Sequence, residues 1–563
     1  MIEGELQIGS ILLKSGKNPL IKEIPLDGEK YVVVIEIDTK NNAVQLSPSQ
    51  LQEESAEEYF YVGNPKGSSS KLVVSSSDLK GVLASLKELS SNEDIDNELK
   101  EKLKKAEPIL SNYTDKTLQE ELKKEFNIAS RRVALYTISI DGNPIAKVEA
   151  YRKFIAEEYT PPFNETGTCH LCGNSTKVSV EATKKLEFKY FITDKISFAQ
   201  GLVRDNFPKS FSICKECYDK LKLAEGFISN HMRLNWSKNT LYIIPKFLLN
   251  PPSDRWELQQ WSNLLTKRIN STYRYDLLAE FENHLEEWRR YEAELKDSYV
   301  INLLFYIKTN SAFKVVKLIK DIPPVRLNAI LNAVKELKNK ADGMLGRGPW
   351  AIDFRTISYI LDNRKATMEV YDAIFSATRF SFKRIIPILT SKAKEMHHEG
   401  KDIHTICLQG ALLEALLTRL GLHTKEGGAK VNLDDEVKRF VESMNYDEQE
   451  TALFLLGCLI GEIGNEQYNR GSKDAKPILN KIAFEGMRKD KLLRLVNETA
   501  EKLHQYKRFT KNEAVFSEMK MLLDKNLKTW EKTPQENVFY ILSGYSYVTQ
   551  KAISKGGKEN EEQ

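Results

Sequence analysis

The sequence predicts an α+β fold: a mixed N-terminal region carrying an inserted four-cysteine zinc-binding module, followed by an all-α C-terminal helical bundle. Three observations lead there. Strand-forming runs such as YVVVIEID (31–38) are interspersed with helix-spaced segments as far as about residue 350. Two Cys-x-x-Cys pairs, in TGTCHLCGN (166–174) and ICKECYDK (213–220), stand inside that region. From about residue 353 helical spacing dominates to about residue 553.

YVVVIEID is β-branched and continuous, the mark of a buried strand, and EYFYVGNP (58–65) is a second strand candidate that ends in Gly and Pro. SSSDLKGVLASLKEL opens with a cap signal and continues as a helix, and residues 94–127 hold two further Lys/Glu-rich helices. VALYTISIDGNPIAKVEAY (133–151) reads as a hairpin around Asp141-Gly142. Beyond the cysteines the chain reads helical to about 297, with Trp256, Trp261 and Trp288 as packing anchors. YVINLLFYIKTNSAFKVVKLI (299–319) is a second hairpin candidate, and ADGMLGRGPW (341–350) is a Gly-rich loop around Arg347 that lacks the Lys-Ser/Thr of a phosphate loop; Arg347 is a candidate DNA contact there, and a plain interdomain linker is the other reading. These readings divide the chain into 1–160 (N-terminal α+β domain), 161–246 (zinc module with a basic, aromatic insertion), 247–352 (helices and a hairpin completing the N-terminal lobe), 353–553 (helical bundle) and 554–563 (a polar, disordered tail).

The cysteines carry the clearest chemistry. Each Cys-x-x-Cys knuckle turns two thiolates toward one centre, and two knuckles make a tetrahedral four-sulfur site. Cys169, Cys172, Cys214 and Cys217 are therefore assigned to a structural Zn2+, with His170 and His231 as possible substitutes. A closed four-thiolate shell leaves no open position for catalysis. A redox dithiol and unliganded buried thiols are the competing readings. Cys407 and Cys458 lie alone in helical patterns and read as core.

The 563 residues carry 83 Lys/Arg against 79 Asp/Glu, a net charge of +4, so contact with nucleic acid has to come from local patches. One such patch lies between the knuckles, where Lys185, Lys189, Tyr190, Lys195, Gln200 and Arg204 occur among Phe188, Phe191, Phe198 and Phe207. Aromatic faces among cations can stack bases and meet phosphates; a solvated basic sheet face is the other reading. A second patch is 473–528, with 14 Lys/Arg against 8 Asp/Glu, beginning with Lys473, Lys476, Lys481, Arg488, Lys489, Lys491 and Arg494. In TALFLLGCLIGEIGNEQY, Gly457, Gly461 and Gly464 share one helix face and predict close helix approach. Six cysteines, no signal peptide and no spanning apolar run predict a cytoplasmic protein without a membrane partner. No carboxylate cluster of the kind a nuclease uses, no His-Asp doublet and no Gly-x-Ser-x-Gly occurs, so no enzyme activity is expected.

The order of YVVVIEID, IDGNPIAKVEAY, CHLCG, KYFITDK, CKECYDKL and FLLGCLIGEIGNEQYNRGSKDAKPILNKIAFEGM resembles the large subunit of the CRISPR type I-B interference complex, Cascade. The resemblance implies a subunit that binds the protospacer-adjacent motif, helps open the target duplex, and carries a small-subunit-like C-terminal domain along the displaced strand. It implies guide RNA, target double-stranded DNA, backbone and handle-binding subunits, small subunits and a recruited helicase-nuclease as partners. Met368, Met396 and Met444 are possible internal starts for a separate small subunit. The alternatives are a standalone zinc-ribbon DNA-binding regulator and a cryptic metal-dependent phosphohydrolase built on His397 and His398 of MHHEG.

Overall fold

The computed structural model describes residues 1–24, 28–52, 54–63, 72–188, 195–237, 239–278, 299–309, 313–425, 427–471 and 477–561, the side chains of 556–561 excepted. The chain divides into two compact units. The first comprises Met1–Leu234, Leu241–Asn263 and Leu303–Val316; the second comprises Asn235–Thr240, Leu264–Asn302 and Lys317–Gln563.

In the first unit, β1 (Tyr31–Asp38) pairs antiparallel with β2 (Ala43–Gln50) and parallel with β3 (Val133–Ile140), and β4 (Asn143–Pro144) completes the order β2-β1-β3-β4. A parallel pair needs a long crossover. Here it contains the helices Leu79–Ser91, Asn97–Leu110 and Asp115–Phe126, all expected from sequence. Val82, Leu86 and Leu103 of that crossover share one buried cluster with Val33, Ile35, Ile37 and Ile138 of the sheet.

The expected strand at 58–65 is not formed among its described residues. Ser55–Glu58 is a helical turn, Phe60 takes φ +47°, and Tyr61 N–H donates back to the Ala56 carbonyl at 2.8 Å. The place beside β1 belongs to β2, whose polar, largely exposed AVQLSPSQ gives little strand signal. The Asp141-Gly142 turn is present, with φ of +49° and +79°. Its return strand, however, is only the two residues of β4, and the helix Glu149–Tyr159 follows.

β5 (Glu165–Thr168), β6 (Ser175–Ser179) and β7 (Ile213–Cys214) form a three-stranded sheet that leads into the helix Lys215–His231. That helix packs on Ile2–Lys14 with very close backbones: a Cβ on Gly9 would come within 2.0 Å of the Lys220 carbonyl oxygen. After it, the expected run of helix is broken by β8 (Arg233–Trp236) and β9 (Asn239–Phe247). Both join a sheet of order β11-β10-β9-β8 with the expected hairpin, β10 (Tyr299–Lys308) and β11 (Phe313–Ile322). Tyr242, Tyr306 and Phe313 stack along this sheet, with ring centroids 4.3 and 4.8 Å apart. Trp261 is buried as expected, Trp256 is 68% exposed, against its expected role as a packing anchor, and Trp288 lies outside the described residues.

From residue 354 every regular element among the described residues of the second unit is a helix, as predicted. The first half of the Gly-rich segment is helix: Pro324–Leu345 runs through Ala341–Leu345, and the loop starts only at Gly346, with φ +81°. The core pairs Glu448–Asn469 with Pro534–Glu561. A Cβ on Gly457 would lie 2.0 Å from the Ile541 carbonyl oxygen, and one on Gly544 would lie 1.9 Å from that of Phe454. Gly457 and Gly461 therefore set this approach, and Gly544 answers it from the facing helix. Pro534–Glu561 runs on into the segment that composition assigns to a disordered tail.

Candidate metal centre

The four cysteines converge because backbone pairing brings their two knuckles together. β5 and β6 pair in register from Glu165↔Val178 to Thr168↔Ser175, so residues 169–174 form a tight turn. Within it, Gly173 takes φ +77° and donates its N–H to the Cys169 carbonyl at 2.8 Å, a conformation glycine adopts without strain. β7 then pairs Cys214 with Val178, which sets the second knuckle beside the first. Cys214 occupies the N-cap position of the Lys215–His231 helix and Cys217 sits in its first turn, so the start of the helix fixes the second pair of sulfurs.

The four Sγ atoms lie within 4.8 Å of one another, and Cys172 and Cys214 are 3.8 Å apart. Metal–sulfur bonds of about 2.3 Å in a tetrahedron imply sulfur–sulfur edges of about 3.8 Å, so the quartet can hold a metal such as zinc. Cys169, Cys214 and Cys217 are buried in an apolar cluster with Val178, Ile213 and Tyr218; Cys172 is exposed. Burial pushes the Cys169 thiol up, but the amides of Cys214, Cys172 and Leu171 more than offset this and bring it down to about 7. Burial, then the neighbouring Cys169 sulfur, drives Cys217 far up. Four adjacent sulfurs ionise together only beside a compensating cation, which a divalent metal supplies. His170 is not a fifth candidate: its Nδ1 accepts the Ser212 N–H at 3.1 Å and ties the two knuckles together. His231 is occupied elsewhere, 2.8 Å from Glu23. Cys407 and Cys458 are core residues, and burial raises the Cys407 thiol to about 12.

Three domains of one family match this chain in order. They are the N-terminal domain of CRISPR-associated protein TM1802 over residues 1–157, its central domain over 166–322, and its C-terminal domain over 352–559. The chain belongs to the CRISPR-associated TM1802 family. The cysteine quartet lies in the family's central domain and the glycine stripe in its C-terminal domain. No curated protein sequence matches the chain.

The nucleic-acid candidates of this TM1802-family chain fall into separate places. Lys189 and Tyr190 lie outside the described residues, as do Lys473 and Lys476. Lys185 is exposed and donates to the Glu158 carbonyl at 3.1 Å. Lys195, Gln200 and Arg204 stand exposed along three short 3-10 turns, Ile196–Phe198, Gln200–Leu202 and Arg204–Asn206. The same turns expose Ile196, Phe198, Leu202 and Val203, each about half or more accessible. The described insertion is thus not a sheet face. Phe188, expected among stacking aromatics, is 3% exposed and packs on Tyr242 at 4.7 Å. In the second unit Arg347 is exposed in its loop. Arg488, Lys489, Lys491 and Arg494 are exposed at the start of the helix Lys489–Gln505; Lys481 pairs with Glu498 at 3.3 Å and Lys489 donates to the Leu527 carbonyl at 2.9 Å.

Sequence reasoning missed a half-buried ion network in the first unit. Glu23 lies 2.8 Å from both His231 and Arg255, in a cavity of about 580 Å³. Burial pushes its carboxyl up, but His231 and Arg255 outweigh that and hold it near 2. The three residues are remote in sequence and occupy no periodic pattern, so only the fold brings them together.

Proposed function

We propose that this chain is the large subunit of a type I-B Cascade, an RNA-guided complex of antiviral defence. In this reading it recognises the protospacer-adjacent motif, helps open the duplex and binds the displaced strand. The observation that carries the reading is the in-order match of all three domains of a CRISPR-associated family along the chain. Base pairing with a guide reads the target, so the protein needs to read only a short motif and manage backbone. That division of labour suits a chain of net charge +4 with local basic patches.

The cysteine quartet, in this proposal, holds a structural Zn2+ that braces the root of the 195–206 turns. Bracing matters because a good base contact is worth only about 1–3 kcal/mol, which loose positioning would forfeit. The Lys489–Gln505 helix supports a role on the displaced strand. Arg488, Lys489 and Lys491 crowd its N-terminus, where a cation costs roughly 0.3–1 kcal/mol against the helix dipole. A phosphate at that end would reverse the sign of the interaction. The chain itself is proposed to be non-catalytic, with cleavage left to the recruited helicase-nuclease.

The test is duplex binding by the reconstituted complex with Lys195→Ala/Arg204→Ala protein. Weaker capture of motif-bearing duplex, with unchanged guide-RNA loading, supports the reading. Unchanged capture across a salt series refutes the role of the insertion. Tight, specific duplex binding by the chain alone, without guide RNA, would instead make it a standalone regulator.

A further inference from the structure

The histidines of MHHEG open onto a cavity in the second unit. His397 and His398 end the helix Ile386–His398, and the chain turns through Gly400, with φ +72°, to Ile403. The last turn of Glu448–Asn469, the 3-10 helix Pro477–Lys481 and the later turns of Pro534–Glu561 supply the other walls. The cleft is open to solvent and has a volume of about 640 Å³, within the usual range for small-ligand sites.

Its chemistry is specific. Ile403, Leu479 and Tyr545 line it and are at most 4% exposed. Three carboxamides, Asn465, Asn469 and Asn480, share the lining. Tyr468, 48% exposed, and the exposed His398 add flat aromatic surface. The ring of His397 is itself held by stacking on Phe484, centroids 5.4 Å apart.

Several ligand classes fit these groups poorly. Among the described residues only the cysteine quartet assembles three or more metal-binding groups, and no such group gathers on His397 and His398. The lining cation Lys401 is neutralised by Glu399 at 2.7 Å, which argues against a small free anion. A purely apolar ligand would strip water from the amides without replacing its hydrogen bonds. A flat heterocycle with donors and acceptors along its edge uses everything present. A carboxamide offers a donor and an acceptor side by side, the pairing by which Asn engages adenine. Aromatic side chains supply the stacking surface. The present contacts of two amides are long: Asn465 Nδ2 to the Val548 carbonyl at 3.4 Å, and Asn480 Oδ1 to His397 Nε2 at 3.3 Å. Both can be exchanged for better ones at little cost.

We infer that this cavity takes one unstacked nucleobase of a single strand, held by stacking on Tyr468 and by the carboxamides of Asn465 and Asn480. The inference rests on the reading of the chain as a strand-binding subunit. It adds a place where a base, and not only phosphate, is gripped.

The test uses the purified full-length chain and fluorescence anisotropy. The probes are an oligothymidylate of about 12 nucleotides, within the site sizes known for single-strand binders, a fully abasic strand of equal length, and thymidine monophosphate. The base-bearing strand should bind roughly 5- to 150-fold more tightly than the abasic one, the range that stacking of one base supports. Tyr468→Ala should erase that preference and leave abasic-strand affinity unchanged, while Tyr468→Phe should keep it. Equal wild-type affinity for both strands would overturn the base pocket and leave strand binding standing. A preference that survives both Tyr468→Ala and Asn480→Ala would also overturn it. Thymidine monophosphate binding as tightly as the strand would overturn the strand as the source of the base. Absence of binding to either strand at low salt would overturn the strand-binding reading and the pocket together.

Discussion

Replacing Gly457 with alanine separates two physical accounts of the same residue. A glycine inside a helix normally costs about 1 kcal/mol relative to alanine, so Gly→Ala at an unencumbered helical site stabilises. At Gly457 the added Cβ would lie 2.0 Å from the Ile541 carbonyl oxygen and 2.9 Å from the Tyr545 nitrogen. Both are backbone atoms, and the first contact is about 1.4 Å short of ordinary van der Waals distance. Neither atom can swing away as a side chain would, so Glu448–Asn469 and Pro534–Glu561 must separate or shift. Overpacking of this kind costs roughly 1–3 kcal/mol and occasionally more. Because the Cβ meets backbone atoms, the upper end of that range applies, and the net effect after the propensity gain is a loss of about 2 kcal/mol. Gly343 is the internal control: it lies in the helix Pro324–Leu345 of the same unit with nothing within 4 Å of its Cβ position. Differential scanning calorimetry of the full chain should show Gly457→Ala lowering the melting temperature of the second unit by about 4–8 °C, at roughly 2–4 °C per kcal/mol. Gly343→Ala should leave it unchanged or raise it slightly. A Gly457→Ala protein as stable as wild type would refute the close-approach argument.

Further predictions rest on the other unit and on the basic helix. Glu23→Gln should destabilise by at most on the order of 3 kcal/mol at neutral pH, since a carboxyl held near 2 instead of 4.5 gains that much from its partners. Its folded value is depressed, so this stability is present above about pH 4.5 and lost as pH falls toward 2; the gap in urea midpoint between wild type and variant should narrow from pH 6 to pH 3, and a gap that widens would contradict the assignment. Native mass spectrometry should find one metal ion per chain, and Cys217→Ser should lose it together with several degrees of melting temperature; a metal-free wild type with undiminished stability would remove the bracing role. Charge reversal of Lys489 and Lys491 in the reconstituted complex should slow strand displacement more than initial duplex capture, as permanganate footprinting against filter binding would read; equal losses would indicate general electrostatics.

The features legible in sequence are those whose signal is local. β1 is a continuous β-branched run, the four cysteines carry their ligand spacing with them, and the glycine stripe follows helical period. What escaped depends on partners distant in the chain. β2 is an edge strand with Pro48 and mostly exposed polar residues, so nothing in AVQLSPSQ marks it until β1 is placed beside it. Trp256 and Phe188 carry the same kind of apolar signal, yet one is exposed and the other buried against Tyr242, because burial is decided by tertiary position. The return strand after Asp141-Gly142 is cut to Asn143–Pro144, since proline offers no N–H to extend the ladder and a helix follows at once. At the candidate sites the metal ligands were readable, whereas the Glu23 network and the cavity beside His397 assemble only on folding.

Affinity purification of the tagged chain from its native host, followed by sequencing of bound RNA and mass spectrometry of bound proteins, decides whether the chain works inside an RNA-guided complex. That role predicts short RNAs of uniform length sharing one repeat-derived end, together with a backbone subunit present in several copies. Recovery of the chain free of RNA, or with random cellular transcripts and no such subunit, would contradict it.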